Sequence, residues 1–183
     1  MKIIKYPGRE EWSSLIKRPA LDVTTLFDTV RTVLDKVREQ GDTAVKAYEE
    51  KFDKVLLSSL QVSEEEMREA DALVAEDLKQ AIRTAKANIE KFHASQRFEG
   101  KKVETTPGVT CWQKAVAIEK VGLYIPGGTA PLFSTVLMLA VPARIAGCKE
   151  IVLCTPPNRE GKVHPAILFA AEVAGVSKIF KAG

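Results

Sequence analysis

The chain is poor in the residues that build metal sites and disulfides. Its 183 residues include only three cysteines and two histidines. An odd number of cysteines without a C-x-x-C argues against a disulfide framework and fits a reducing compartment, so we expect a cytoplasmic protein. Zinc generally needs about four Cys, His or carboxylate ligands, and neither His93 nor His164 has a ligand partner three or four residues further along. We therefore expect no metal site within these residues.

Long apolar runs and an excess of one charge are missing as well. No stretch of about 18 apolar residues occurs, and the N-terminal segment lacks the apolar core of a signal peptide, so we expect no membrane segment. The 27 basic and 24 acidic residues leave a net charge of +3. No basic cluster is interleaved with aromatic residues, so we expect no nucleic-acid partner. The 45% hydrophobic and 28% charged residues are typical of a soluble globular protein.

The first hundred residues show helical periodicity from residue 22 to about 99. Apolar residues recur on one face between Leu26 and Val37, and Gly41 ends that pattern. Ser63 to Glu66 form a capping-box sequence, and no Gly or Pro follows until Gly100. One helix over 64–98 would be about 50 Å long, at ~1.5 Å per residue. Such a helix exceeds a small domain, so it either packs against another domain or subunit or folds back on its neighbours.

The pattern changes after residue 100. Residues 101–108 are predicted to be a polar connector with a turn at Pro107-Gly108, and 109–118 to hold one or two short strands. Beyond them we predict strands at 121–125, 150–154 and 178–180, alternating with helices at 133–146 and 165–174. This β-α-β-α-β order is half of a doubly wound parallel sheet, with the carboxyl ends of the strands at one edge.

The predicted fold class is therefore α/β. A helical region, residues 1–100, serves dimer or interdomain packing, and a partial Rossmann-like domain follows at 101–183. Three strands make only part of a sheet, so we expect the last strand to leave an unpaired edge that favours self-association.

The loop after the first of these strands carries the strongest functional signal. Gly127 and Gly128 let the backbone approach a phosphate in front of the following helix, and Tyr124 can stack on or hydrogen-bond a nucleotide. The G-x-G-x-x-G fingerprint is absent, and Thr155-Pro156-Pro157 stands where an acidic residue normally ends the second strand and holds a ribose. The loop is thus either a nucleotide cradle of non-standard form or a tight turn without a ligand.

A resemblance favours the cradle. The segment Gly-Leu-Tyr-Ile-Pro-Gly-Gly-Thr-Ala-Pro-Leu-Phe-Ser-Thr-Val-Leu-Met-Leu, which begins at Gly122, and Pro-Ala-Arg-Ile-Ala-Gly-Cys-Lys-Glu, which begins at Pro142, closely resemble the histidinol dehydrogenase family. The region around Arg38 to Asp42 is also similar. The resemblance implies a zinc-dependent homodimer that oxidises L-histidinol through L-histidinal to L-histidine with two NAD. It implies NAD contacts by Tyr124, Pro126, Gly127 and Gly128.

Members of that family continue well beyond residue 183. Their zinc ligands, catalytic Glu-His pair and most substrate contacts lie in that further part. The resemblance therefore implies an N-terminal portion that supplies the cofactor platform and dimer contacts, holds no catalytic or metal-binding residue, and is inactive alone. Two alternatives remain at this point: a nucleotide-binding module without catalysis, and a helical interaction protein that uses the 64–98 segment.

Overall fold

The computed structural model describes residues 3–18, 23–128 and 130–183. Residues 1–2 and 19–22, in the predicted helical region, and Thr129, in the predicted loop, lie outside the described residues. The chain divides into two compact units, residues 1–41 and 42–183. The domain boundary expected at residue 100 stays a prediction. Within the described ranges, no helix is long and apolar enough to cross a membrane.

Among its described residues, the first unit forms the α-helices α1 (Trp12–Leu15) and α2 (Phe27–Gln40). Helix α2 confirms the element predicted from the apolar stripe that starts at Leu26. It ends at Gly41, which has a φ of 56°. Positive φ costs little at glycine, which explains why the helix stops there.

The second unit is a mixed α/β assembly whose parallel sheet confirms the predicted fold class. Its strands lie in the order β3-β4-β5, and the register places Tyr124 opposite Cys154 and Cys154 opposite Phe180. The crossover helices and the strands have nearly the predicted bounds. In chain order the elements are α3 (Asp42–Tyr48), α4 (Glu64–Leu73), α5 (Glu76–Ala94), β1 (Lys102–Thr106), β2 (Val109–Trp112), β3 (Lys120–Tyr124), α6 (Phe133–Ile145), β4 (Glu150–Thr155), α7 (Pro165–Ala174) and β5 (Lys178–Lys181).

The core lies on one face of this sheet. Alternate residues of the strands, among them Leu153 and Ile179, are buried in a cluster with apolar residues of α6 and α7. Helices α4 and α5 pack on α6 and α7, and Ile82 of α5 is 1% exposed. Because strands in sequential order send both right-handed crossovers to the same side, α6 and α7 lie on one face of the sheet, and α4 and α5 pack on those two helices.

The single long helix expected over 64–98 is wrong. The helix stops at Leu73, Val74 takes an extended backbone with ψ 124°, and α5 begins at Glu76. Val74 is 7% exposed, so burial of its side chain accompanies a break that no Gly or Pro signals. The capping box is confirmed, with Glu66 N–H donating to Ser63 Oγ at 3.1 Å and Ser63 N–H donating to Glu66 Oε2 at 2.9 Å. The two shorter helices fold back on their own domain.

Two further expectations are wrong. The polar connector contains strand β1, which forms an antiparallel hairpin with β2 around the correctly predicted turn, where Gly108 has a φ of 82°. The edge of β5 is also not left open. Val62 N–H donates to Ile179 O at 2.9 Å, and Lys181 N–H donates to Leu60 O at 2.7 Å. A short antiparallel segment from the loop before α4 therefore covers that edge.

Candidate functional site

A cavity of about 830 Å³ opens at the carboxyl edge of the parallel sheet. Its volume falls in the range of small-molecule and cofactor sites. All four residues predicted to contact a cofactor, Tyr124, Pro126, Gly127 and Gly128, line it together. The topology explains this meeting, because the loops that follow parallel strands gather at one edge.

Tyr124 and Gly128 present open surface to the cavity. Tyr124 is the last residue of β3, and 52% of it is exposed. A Cβ placed on Gly128 would meet no heavy atom within 4 Å, so this part of the loop leaves space for a ligand. Cys154, opposite Tyr124, is half-buried, and burial raises the pKa of its thiol. It therefore remains a neutral thiol at neutral pH.

Gly127 and Gly183 approach Pro156 closely. A Cβ on Gly127 would lie 2.6 Å from Pro156 Cγ, and a Cβ on Gly183 would lie 2.9 Å from Pro156 Cβ. Carbon atoms normally pack at about 3.5–4.0 Å, so neither glycine can carry a side chain without a shift. Thus the loops after all three strands meet at one proline, and the shape of the cavity floor depends on both glycines.

Two acidic residues at the ends of the π-helical segment Glu49–Asp53, which follows α3, lie next to Gly183. Glu49 is 3% exposed, and its Oε1 accepts a hydrogen bond from Gly183 N–H at 2.8 Å. Its Oε2 is buried without a hydrogen-bond partner among the described atoms. Burial raises the pKa of Glu49, the Gly183 N–H lowers it, and the nearby Asp53 raises it, with a net rise. Asp53 is half-buried and lines the cavity.

Two ion pairs close the side of the cavity formed by α4. Lys181 Nζ lies 3.0 Å from Glu66 Oε1, with side-chain exposures of 9% and 20%. Burial alone would raise the pKa of Glu66, but the Ser63 N–H and the Lys181 ammonium together lower it. Lys162 Nζ lies 2.6 Å from Glu69 Oε2, and this contact raises the pKa of Lys162. Lys162, which lines the cavity, is therefore already paired with a protein carboxylate.

The second crossover helix begins at the rim of the cavity. His164 caps α7, and its Nδ1 accepts a hydrogen bond from Ala166 N–H at 3.2 Å. His93 belongs to α5 and does not line this cavity. In the described part of the chain, no three His, Cys, Asp or Glu side chains converge as metal ligands.

Comparison with known proteins decides the family. A family model described as Histidinol dehydrogenase matches residues 16–183. The chain belongs to the histidinol dehydrogenase family. As the name states, its members are oxidoreductases.

The similar proteins include curated histidinol dehydrogenases and a solved structure. The Bacteroides thetaiotaomicron protein is 70% identical over 183 residues, which are 100% of this chain and 43% of that protein. The Salmonella typhimurium protein is 47% identical over 175 residues, which are 95% of this chain and 39% of that protein. The crystal structure of histidinol dehydrogenase from Elizabethkingia anophelis has a TM-score of 0.92 and 50% identity, covering 97% of this chain and 41% of that one. The chain spans about two fifths of the length of the curated relatives it matches.

Sequence reasoning predicted the loop that lines this cavity but not the opposite wall of the cavity. Asp53 and Glu49 come from a segment that carried no functional signal in the sequence. Their placement depends on the pairing of the loop before α4 with β5, a contact between residues more than a hundred positions apart.

Proposed function

We propose that this chain provides the cofactor platform of a histidinol dehydrogenase, an enzyme that oxidises L-histidinol through L-histidinal to L-histidine with two NAD. The observation that supports this proposal is the cavity at the carboxyl edge of the sheet, which is lined by Tyr124, Pro126, Gly127 and Gly128. NAD, when bound, accepts the hydride that leaves the substrate. Membership of the family supports this assignment.

The residues of the loop have distinct roles in this proposal. Gly128 lets the cofactor approach the backbone, since a Cβ there would point into open space. Gly127 places the loop against Pro156, and Tyr124 offers its ring as a stacking surface. The described residues do not build a zinc site, so zinc and its ligands are assigned to the part of the enzyme that this chain does not span. We expect no dehydrogenase activity from the chain alone.

Binding of NAD tests the platform. Calorimetric titration of the chain with NAD should show binding, and Tyr124→Ala should weaken it about fivefold or more, because stacking of a base on an aromatic ring contributes about 1–3 kcal/mol. Trp112→Ala is the matched control, since Trp112 is 59% exposed and does not line the cavity. Equal losses in both variants would contradict the assignment of Tyr124.

An activity assay tests the proposal that the chain alone has no dehydrogenase activity. We expect no NADH absorbance at 340 nm when the chain is mixed with L-histidinol, NAD and zinc. Steady turnover would show that the chain carries its own catalytic residues. It would refute the proposal that the catalytic residues lie in the part of the enzyme that this chain does not span.

The assembly is proposed to be a cytoplasmic homodimer. Five apolar residues between Val103 and Ile118 are at least half exposed, an apolar surface of the kind that partners cover: Val103, Val109, Trp112, Val116 and Ile118. Multi-angle light scattering should therefore give about twice the chain mass of 20.1 kDa. A constant monomer mass across concentrations would contradict it.

A further inference from the structure

An unpaired carboxylate lies beside the end of the second parallel strand. In dinucleotide-binding sheets an acidic residue at that point accepts hydrogen bonds from the adenosine ribose. Here β4 ends in Thr155, which is followed by Pro156 and Pro157, so the strand itself supplies no such group. The turn after α3 brings Asp53 to the same place from a distant part of the chain.

The position of Asp53 is fixed by its contacts. Its Oδ2 lies 2.8 Å from the point that a Cβ on Gly183 would occupy, and Pro156 Cβ lies 2.9 Å from the same point. Asp53, Gly183 and Pro156 therefore form one continuous wall. Through Pro156 this wall reaches Gly127, in the loop that holds the proposed cofactor.

Asp53 is also free to bind a ligand. Three other carboxylates line the cavity. Glu66 and Glu69 are engaged by Lys181 and Lys162. Glu160 is exposed and belongs to the loop between β4 and α7. Asp53 is half-buried and forms no hydrogen bond or ion pair with the described residues. A carboxylate so placed can accept hydrogen bonds from both hydroxyls of a vicinal diol.

We propose that Asp53 binds the adenosine ribose of NAD, accepting hydrogen bonds from its 2′- and 3′-hydroxyls, and that it thereby selects NAD over NADP. The inference rests on the proposed function, because it requires the cofactor to occupy this cavity. A carboxylate at this point repels a 2′-phosphate, and no arginine lines the cavity within the described residues to receive one.

Glu49 positions this group without touching the ligand. Glu49 Oε1 accepts a hydrogen bond from the Gly183 N–H, and this bond keeps the segment after β5 against Pro156 and Asp53. The ribose pocket is thus built by a turn of the helical half of the chain. This assigns that half a part in cofactor recognition as well as in packing.

Calorimetric titrations of the chain with NAD, NADP and 2′-deoxy-NAD test the proposal, with Asp53→Asn as the variant and Glu50→Gln as the matched control, because Glu50 is an exposed acid of the same segment that does not line the cavity. A hydrogen bond to a charged group contributes about 1.5–3 kcal/mol, so Asp53→Asn should weaken NAD binding roughly tenfold or more. Glu50→Gln should leave NAD binding unchanged. The preference for NAD over NADP should shrink in Asp53→Asn.

The analogue 2′-deoxy-NAD removes the hydroxyl from the ligand instead of the carboxylate from the protein. The unsubstituted chain should bind 2′-deoxy-NAD several-fold more weakly than NAD, whereas Asp53→Asn should bind the two alike. Equal affinity of the unsubstituted chain for both, or the same loss in both proteins, would overturn the role of Asp53 while NAD binding itself remains. If the unsubstituted chain binds no NAD, the proposed cofactor platform fails, and this inference fails with it.

Discussion

Replacement of Gly127 by alanine should distort the floor of the cavity and destabilise the sheet domain. The new Cβ would lie 2.6 Å from Pro156 Cγ, about 1 Å inside the normal carbon–carbon separation. Neither side can yield easily. Ile125 N–H donates to Cys154 O at 2.9 Å just before the loop, and Ala182 N–H donates to Thr155 O at 3.0 Å beside the proline. The proline ring, unlike a long side chain, has no rotamer that would clear the space.

The expected magnitude follows from these constraints. Forcing an additional methyl group into a packed site costs about 1–3 kcal/mol. Replacing glycine by alanine also lowers the conformational entropy of the unfolded chain, which stabilises the folded state by about 0.4–1 kcal/mol. The net loss should be about 1–2 kcal/mol. For a unit of this size it corresponds to a decrease in Tm of roughly 2–8 °C.

Gly128→Ala is the matched control, because its Cβ would meet no heavy atom within 4 Å. Differential scanning fluorimetry of the chain and both variants gives the comparison. Gly128→Ala should melt within about a degree of the unsubstituted chain, and Gly127→Ala clearly below it. Melting of Gly127→Ala at the unsubstituted temperature would show that the loop and Pro156 are not in the close contact on which the site is built.

The stability contributions of Glu49, which is buried, and Glu66, which is half-buried, should depend on pH with opposite sign. Burial raises the pKa of Glu49 in the folded state, so ionising it costs stability as the pH rises above the unfolded value. Glu49→Gln should therefore raise the free energy of unfolding at pH 7, and the gain should vanish near pH 4. The pKa of Glu66 is lowered, so its contribution is present above the unfolded value and is lost as the pH falls through the folded one. Glu66→Gln keeps the capping group but leaves Lys181 without its charge partner, and should cost about 1–3 kcal/mol at pH 7. Urea unfolding at both pH values checks the pair, and the same sign for both variants would contradict the assignment.

The parallel-sheet half was predictable because its elements have strong local signals. Pro165 and Gly175 bracket α7, and β4 is a continuous apolar run between polar residues. The break at Val74 was not predictable from local sequence, since no Gly or Pro marks it and the burial of the Val74 side chain depends on the folded unit. Strand β1 was missed because its residues are mostly polar and all exposed, which leaves no alternating pattern to detect.

The candidate site was predictable only where it follows the chain locally. The glycine loop and Tyr124 stand next to a strong strand signal, and the family resemblance adds their cofactor role. Asp53 sits in an unremarkable helical stretch, and only the tertiary pairing of the loop before α4 with β5 brings it to the sheet. Such a contact depends on the whole folded unit, so no local pattern reports it.

The pairing of the loop before α4 with β5 also determines when the sheet can be completed during protein synthesis. Residues 60–62 leave the ribosome more than a hundred residues before β5, their partner. Contacts between positions so far apart form late, since a long loop must close first. The nascent chain therefore carries an incomplete sheet until residue 181 emerges, and it is most exposed to aggregation and chaperone capture in that interval.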